Sequence, residues 1–166
     1  MTGLTKGVAV ALLHILIVTS LGGKLLYDRA HRPRVWVKTG SVDPDLPIRG
    51  RYVTLQLAVQ APWFKAAPNS YLHNDVRLEV ESGSLVAHKS ESNTGLSISS
   101  WSRRPNGDAV YLDPSVAFFL PEHAEFPRVR PGEELWAEVT IPKKGPPRPI
   151  QLALKRGTEW KPLSYR

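Results

Sequence analysis

Glu122, His123 and Glu125 are the residues of this chain whose types and spacing come nearest to metal chemistry, because two carboxylates flank one imidazole. The segment follows Pro121 in a predicted loop, which favours a solvated surface cluster over a metal site. The 5 histidines do not reproduce a ligand spacing such as HExxH, and the chain has no cysteine. It also lacks a glycine-rich phosphate loop and a nucleophile elbow. The sequence therefore predicts neither a metal site nor a cofactor.

An apolar segment near the N-terminus is the strongest signal in the sequence. Residues 7–27 contain Lys24 as their single charged side chain and, at about 1.5 Å per residue, reach across one bilayer as a helix. Lys24 lies near the end of the segment and can extend its ammonium group to the headgroups. We predict a transmembrane signal anchor over residues 7–27, after an N-terminal tail of residues 1–6 and before a basic juxtamembrane linker of residues 28–34. A cleaved signal peptide and a buried core helix are the alternatives.

The charges that flank the apolar segment conflict over its orientation. Lys6 precedes it, whereas Lys24, Arg29, Arg32 and Arg34 lie at or after its end. A count of positive charge would place the following domain in the cytoplasm, but long domains translocate largely regardless of their charge. A short N-terminal tail is typical of an anchor whose N-terminus stays inside. We therefore predict a single-pass protein of the inner membrane with an extracytoplasmic domain.

From residue 35 onward the dominant hydrophobic period is two, which is typical of half-buried strands. In residues 51–60 this period places four apolar side chains on one face: Val53, Leu55, Leu57 and Val59. The same alternation recurs at 76–81, 135–141 and 150–155, and shorter strand candidates lie at 35–38, 85–89, 96–101, 110–112, 116–120 and 159–163. The 15 prolines argue against long helices in this region. We predict a single all-β domain, a small barrel or sandwich, over residues 35–166.

Turn residues separate several of these strand candidates. Glu81-Ser82-Gly83-Ser84 and Arg156-Gly157-Thr158 each predict a tight hairpin. Asn106-Gly107 is the dipeptide favoured in type I′ turns and predicts a third.

The net charge of +7 comes from basic residues scattered among aspartates and glutamates. Nucleic-acid binding would need a basic stripe interleaved with aromatic residues, so no nucleic-acid partner is predicted. The basic residues nearest the apolar segment are instead available to anionic lipid headgroups. The 5 tryptophans, at positions 36, 63, 101, 136 and 160, fall one per segment. That spread predicts core and strand-pair positions rather than a shared binding surface.

Residues 43–57, DPDLPIRGRYVTLQL, resemble the signature of the GDYXXLXY family of membrane-anchored bacterial proteins. The matching positions are Gly50, Tyr52 and Leu55. Arg51 stands where the family has aspartate, and Leu57 where it has the closing tyrosine. Residues 118–122, FFLPE, are similar to the family's downstream aromatic-Pro-Glu segment. The resemblance implies a single-span envelope protein and supplies no catalytic residues.

The loop that leads into this strand is the candidate binding site. Asp43-Pro44 and Pro47 favour an extended backbone, and Gly50 gives conformational freedom where the chain enters the strand. Alternation places Tyr52 on the face opposite Val53. The candidate binding residues are Asp43, Arg49, Gly50, Arg51, Tyr52, Phe119 and Glu122. A purely structural strand entry is the alternative.

A second resemblance suggests an enzyme. Residues 41–46, SVDPDL, resemble the serine box of type I signal peptidases, which implies Ser41 as a nucleophile and Lys89 as its general base. Such a lysine must be desolvated to stay unprotonated. The neighbours His88, Ser90 and Glu91 are polar, and the arginine and glycine context of the family's lysine is absent. A membrane-tethered serine–lysine hydrolase is therefore the alternative function.

The preferred function is a membrane-anchored, non-enzymatic envelope module. Its predicted partner is another envelope or membrane protein, or a cell-wall component, bound at a strand edge or a groove between loops. A third hypothesis assigns the function to the helix itself, which would associate with other spans through His14, Gly22 and Gly23. These readings leave the oligomeric state open.

Overall fold

The computed structural model of the 166-residue chain describes residues 3–42, 52–64, 73–99, 110–125 and 127–165. The chain forms two compact units, Met1–Arg32 and Pro33–Arg166. The first contains one helix, and the second is built of strands. This architecture confirms the predicted all-β domain preceded by a single N-terminal helix.

Helix α1 runs from Gly3 to His31. Within it, the 23 residues Thr5–Tyr27 are long and apolar enough to cross a membrane, judged by length and composition. At about 1.5 Å per residue this segment is about 35 Å long, against a hydrocarbon core of about 30 Å. Its side chains are exposed throughout, except for the half-exposed Gly22. The helix therefore presents a continuous apolar surface, as a single-pass anchor requires.

Several polar side chains within this apolar segment are bonded to the backbone of the helix itself, among them His14, Thr19 and Ser20. His14 Nδ1–H donates to the carbonyl oxygen of Val10 at 2.8 Å, and the Thr19 hydroxyl donates to the carbonyl oxygen of Ile15 at 2.7 Å. In an apolar environment, polar groups must be satisfied within the protein. These residues are thus accommodated without a partner outside the helix.

Ten strands make up the second unit. In chain order they are β1 Arg34–Val42, β2 Tyr52–Val59, β3 His73–Glu81, β4 Ser84–Lys89, β5 Ser97–Ser99, β6 Val110–Asp113, β7 Val116–Phe119, β8 Glu134–Thr140, β9 Arg148–Arg156 and β10 Glu159–Leu163. Within the described residues, every strand candidate from the sequence corresponds to a strand; the candidate at 96–101 is confirmed at Ser97–Ser99, and residues 100–101 lie outside the described residues.

The strands form one antiparallel sheet in the order β10-β9-β8-β1-β2-β6-β5-β3-β4, with β7 also paired to β2. The sheet curls until β4 returns to β2. There Gln60 donates its N–H to the carbonyl oxygen of Leu85 at 2.9 Å, and Ala87 donates to the carbonyl oxygen of Gln60 at 2.8 Å. The core fills the inside of this curl.

Strand β2 shows how the alternating sequence pattern builds the core. Its residues alternate strictly between half-buried and buried, and Leu55 and Leu57 are 0% and 1% exposed. Residues on the inner faces of other strands belong to the same buried cluster, among them Val37 of β1, Ile98 of β5 and Leu135 of β8. Because successive side chains point to opposite faces of a strand, this single stripe decides which face of β2 meets the core.

Two of the predicted hairpins are confirmed. Strands β3 and β4 are joined by Ser82 and Gly83, both with positive φ (49° and 77°), as a type I′ turn requires. Strands β9 and β10 are joined by Gly157, with φ 58°, and Thr158. The predicted Asn106-Gly107 turn lies outside the described residues.

Strands β6 and β7 pair with the same side of β2 in two registers. Val110 faces Val59, whereas Val116 faces Leu55, so the β6–β7 side has two more residues than β2 between these pairs. The surplus is taken up around Pro114, whose peptide bond with Asp113 is cis. At this irregularity β6 turns to pair with β5, and β7 continues along the first half of β2.

Strand β10 is the last in the sheet order, and among the described residues only β9 pairs with it. In a two-residue hairpin the closing pair, here Arg156 and Glu159, is hydrogen-bonded, so alternate residues beyond it direct their backbone groups outward. Pro162 is one of these outward residues. It places a ring where the free edge would otherwise offer an N–H donor.

Candidate binding site

Four residues of the candidate loop, Asp43, Arg49, Gly50 and Arg51, lie outside the described residues. The fifth, Tyr52, is the first residue of β2 and is half-buried. As predicted, it lies on the face opposite Val53, which is 4% exposed.

The structure brings Tyr52 together with Phe119, 67 residues later in the chain. The two are direct cross-strand partners on β2 and β7, and their ring centroids lie 6.1 Å apart with planes tilted by 52°. Aromatic pairs at this separation attract beyond the area they bury. The sequence named both residues as site candidates, and the β2–β7 register makes them one aromatic pair.

Phe119 is 72% exposed, more than any other large apolar side chain that the structure describes in the strand unit. Val129 and Trp160 follow it, each at 41%. The neighbouring residues on the same face are Ala117 and its cross-strand partner Thr54. Both are short, so the Phe119 ring stands above its surroundings as an anchor that a partner can enclose.

The opposite face of β7 is packed. The Phe118 ring lies 5.9 Å from the ring of Tyr165, near the C-terminus, and both side chains contact the core. The Tyr165 hydroxyl is buried and has no hydrogen-bond partner within the described residues. Burial accordingly raises the pKa of this phenol. The strand that carries Phe119 is thus packed against the core through its opposite face.

Glu122 follows β7 in a turn, where Ala124 N–H donates to the carbonyl oxygen of Pro121 at 3.1 Å. It is exposed, as are His123 and Glu125. Among the described residues these three do not form a group with metal-ligand spacing. Their position at the surface agrees with the predicted solvated cluster.

A different group approaches metal-ligand spacing. The ligand atoms of Glu79, Glu81 and His88, on the β3–β4 hairpin, all lie within 4.8 Å of one another. However, His88 Nε2 already lies 2.7 Å from a Glu81 oxygen, and Arg77 lies 2.8 Å from a Glu79 oxygen. The side chains are between 41% and 69% exposed, so the group forms a surface network of side chains that already contact one another.

The two residues of the hydrolase hypothesis lie on different strands. Ser41 belongs to β1, where Leu55 is its cross-strand partner, and Lys89 is the last residue of β4, opposite Val76. Lys89 is exposed to solvent. It therefore lacks the burial that a general-base lysine needs, and the geometry gives this hypothesis no support.

Three tryptophans that the sequence treats as separate lie together on the outer face of β1, β8, β9 and β10. The Trp160 ring centroid lies 5.4 Å from that of Trp36 and 5.2 Å from that of Trp136, both edge to face. Lys155 Nζ lies 4.9 Å from the Trp136 centroid and 5.0 Å from that of Trp160. Ala153, the cross-strand partner of Trp136 on the same face, is 1% exposed. We call Trp36, Trp136, Trp160 and Lys155 the tryptophan face.

Sequence reasoning predicted core or strand-pair positions for these tryptophans and missed their convergence. A signal was available for two of them. Trp36 lies between buried Val35 and Val37, and Trp136 lies between buried Leu135 and Ala137. Alternation therefore places both indoles on the outer faces of their strands.

A cleft of about 470 Å³ opens beside β1 and β8, and its lining includes Lys38, Glu134 and Tyr111. Glu134 accepts hydrogen bonds from Lys38 Nζ at 2.5 Å and from Trp136 Nε1 at 3.1 Å. The bond from Lys38 is the main cause of the lowered pKa of this carboxyl, which partial burial opposes. Lys38 and Glu134 are thus paired with each other, and the geometry favours the Tyr52–Phe119 pair as the candidate binding site.

Comparison of the chain with models of protein families, with curated proteins and with solved structures found no match.

Proposed function

We propose that this protein is a membrane-anchored, non-enzymatic binding module of the bacterial envelope, whose protein partner docks on the Tyr52–Phe119 pair. The observation that carries the proposal is the 72% exposure of Phe119 on a strand whose other face is packed. A large aromatic ring held in one position costs little conformational entropy when a partner encloses it.

The N-terminal helix supports the anchoring part of this function. Thr5–Tyr27 is apolar enough to cross a membrane, and only Arg32 and Pro33 separate the end of α1 from the start of β1. We place the strand unit on the extracytoplasmic side of the inner membrane. The GDYXXLXY resemblance agrees with this placement, because it implies an envelope protein.

Photo-crosslinking in cells tests the docking site. A benzophenone amino acid replaces Phe119 in one variant and Glu159, an exposed residue of the edge strand β10, in the control. We expect a discrete adduct at position 119 and none at position 159. Equal labelling at both positions, or none at either, would contradict a specific site at Phe119.

A pair of substitutions then separates binding from folding. Because Phe119 is largely exposed, Phe119→Ser should lower the free energy of unfolding by about 1 kcal/mol at most, through the loss of its pairing with Tyr52. Val129→Ser, at 41% exposure, removes a similar kind of surface group elsewhere. We expect Phe119→Ser to abolish complementation of a deletion strain and Val129→Ser to preserve it. Full complementation by Phe119→Ser would rule out this docking site.

A further inference from the structure

The tryptophan face combines apolar, hydrogen-bonding and cationic groups on one surface. Trp160 is 41% exposed, and the two other indoles, which are half-buried, contact it directly. An indole has an apolar body and a polar N–H, a combination enriched where proteins meet lipid headgroups. Lys155 holds its ammonium over two of the rings, so a positive charge lies at the same level as the indoles.

Basic residues outnumber acidic ones around this face. The strand registers place four basic residues on the outer side of the sheet, Arg34, Lys38, Arg148 and Lys155, together with two acidic residues, Glu134 and Glu138. Both acidic residues are paired with basic ones, Glu134 with Lys38 and Glu138 with Arg34. The surplus charge is positive and complements an anionic lipid surface.

The chain also limits how far this face can lie from the bilayer. Trp36 follows Tyr27, the last residue of the apolar segment, by only 9 residues. Residues 28–31 are helical and residues 34–36 are extended, so the contour from Tyr27 to Trp36 is at most about 25 Å.

We propose that the tryptophan face contacts the anionic lipid headgroups of the bilayer in which α1 is anchored. The inference rests on the anchoring part of the proposed function and is independent of the docking site. Thr39, three residues after Trp36, pairs with Leu57, five residues after Tyr52, so Trp36 and Tyr52 are separated along the strands by about eight residues, or about 26 Å. Contact at the Trp36 end of the sheet therefore leaves the Tyr52–Phe119 pair available to a partner.

Tryptophan fluorescence tests this contact directly, because α1 contains no tryptophan and all 5 indoles belong to the strand unit. The full chain is incorporated into nanodiscs of phosphatidylcholine with or without phosphatidylglycerol, each carrying a nitroxide quencher at headgroup depth. We expect strong quenching in the anionic nanodiscs, weaker quenching in the neutral ones, and a loss of the difference at high salt.

Two matched variants assign the quenching to the face. Trp160→Phe removes the most exposed indole of the face, whereas Trp63→Phe removes an indole whose N–H is bonded to the carbonyl oxygen of Ala87. We expect the quenched fraction to fall in Trp160→Phe and to stay the same or rise in Trp63→Phe. A Trp136→Phe variant provides a second test if Trp160→Phe does not fold.

The opposite outcomes overturn the proposal. Emission that is insensitive to the headgroup quencher in well-incorporated chains would show that the face does not touch lipid while leaving the anchor intact. An emission shift caused instead by soluble peptidoglycan fragments would assign the face to a saccharide. Failure of the chain to incorporate into nanodiscs would overturn both the anchor and the lipid contact.

Discussion

Lys38 on β1 and Glu134 on β8 form a salt bridge across 96 residues of sequence, with Nζ 2.5 Å from Oε1. Trp136, which is the cross-strand partner of Lys38, donates its Nε1–H to the other oxygen of the same carboxylate. Strand β1 is therefore tied to the C-terminal meander β8–β10 by charge as well as by its backbone ladder. This tie leads to a prediction about pH.

Replacing Glu134 with glutamine should weaken the fold near neutral pH only. The folded-state pKa of Glu134 lies below its ordinary value, so its stabilising effect is present above the unfolded-state pKa and is lost as pH falls through the folded-state pKa. Both side chains are 40% or more exposed, and screening limits the effect to about 1 kcal/mol or less. Urea unfolding of the full chain in micelles, followed by tryptophan emission near pH 7 and near pH 2.5, measures the difference.

Glu125→Gln, at an exposed position in the loop after β7, is the control and should show little effect at either pH. A deficit in Glu134→Gln that persisted unchanged in acid would mean that the carboxylate stabilises the fold through packing rather than charge. A double-mutant cycle with Lys38→Met isolates the pairwise term.

Ser82 in the β3–β4 turn has a φ of 49°, a left-handed value that asparagine tolerates better than serine. Ser82→Asn should therefore raise the free energy of unfolding by a few tenths of a kcal/mol, to about 0.5 kcal/mol. Ser82→Val should lower it by about 1 kcal/mol or more, because a β-branched residue is strained in this region. Equal stability of the two variants would show that the turn adopts another conformation in solution.

The Tyr165 hydroxyl is buried without a hydrogen-bond partner within the described residues, while its ring packs on Phe118. Removing the hydroxyl keeps the ring contact and relieves the desolvation of an unpaired polar group. Tyr165→Phe should therefore stabilise the fold by about 1 kcal/mol. Tyr165→Ala should destabilise it, because the ring contact is lost. A loss of stability in Tyr165→Phe would reveal an acceptor for the hydroxyl.

The side of the membrane on which the strand unit lies can be measured with a single thiol. The chain has no cysteine, and Ser164 is exposed near the C-terminus, so Ser164→Cys creates a unique reporter. We expect a membrane-impermeant maleimide to label intact cells, with lysed cells as the control for reactivity. Labelling only after lysis would place the unit in the cytoplasm, as the count of flanking positive charges suggests.

The strands and the tight turns between them could be predicted from the sequence. Leu55 and Leu57 alternate with half-buried residues, and Gly83 and Gly157 mark turns between neighbouring strands. These features involve residues close together in the chain, where side-chain period and backbone preference decide the structure. The strand boundaries followed from them to within a few residues.

The candidate sites depend instead on pairings between distant segments. Tyr52 meets Phe119 only because β7 lies along β2, and Trp36 meets Trp160 only because β1 adds to the β8–β10 meander. Many strand orders satisfy the same alternation, since period two assigns faces and not neighbours. One-dimensional spacing therefore could not show that three dispersed tryptophans share one surface.

Pro162 has a consequence for how copies of this protein coexist. An anchor of the kind proposed above would confine molecules to two dimensions and raise the frequency of lateral encounters between them. Strand-to-strand fusion at the β10 edge would need a continuous row of donors, and the ring of Pro162 interrupts that row. Pro162 therefore disfavours edge-to-edge pairing of β10 strands between neighbouring molecules.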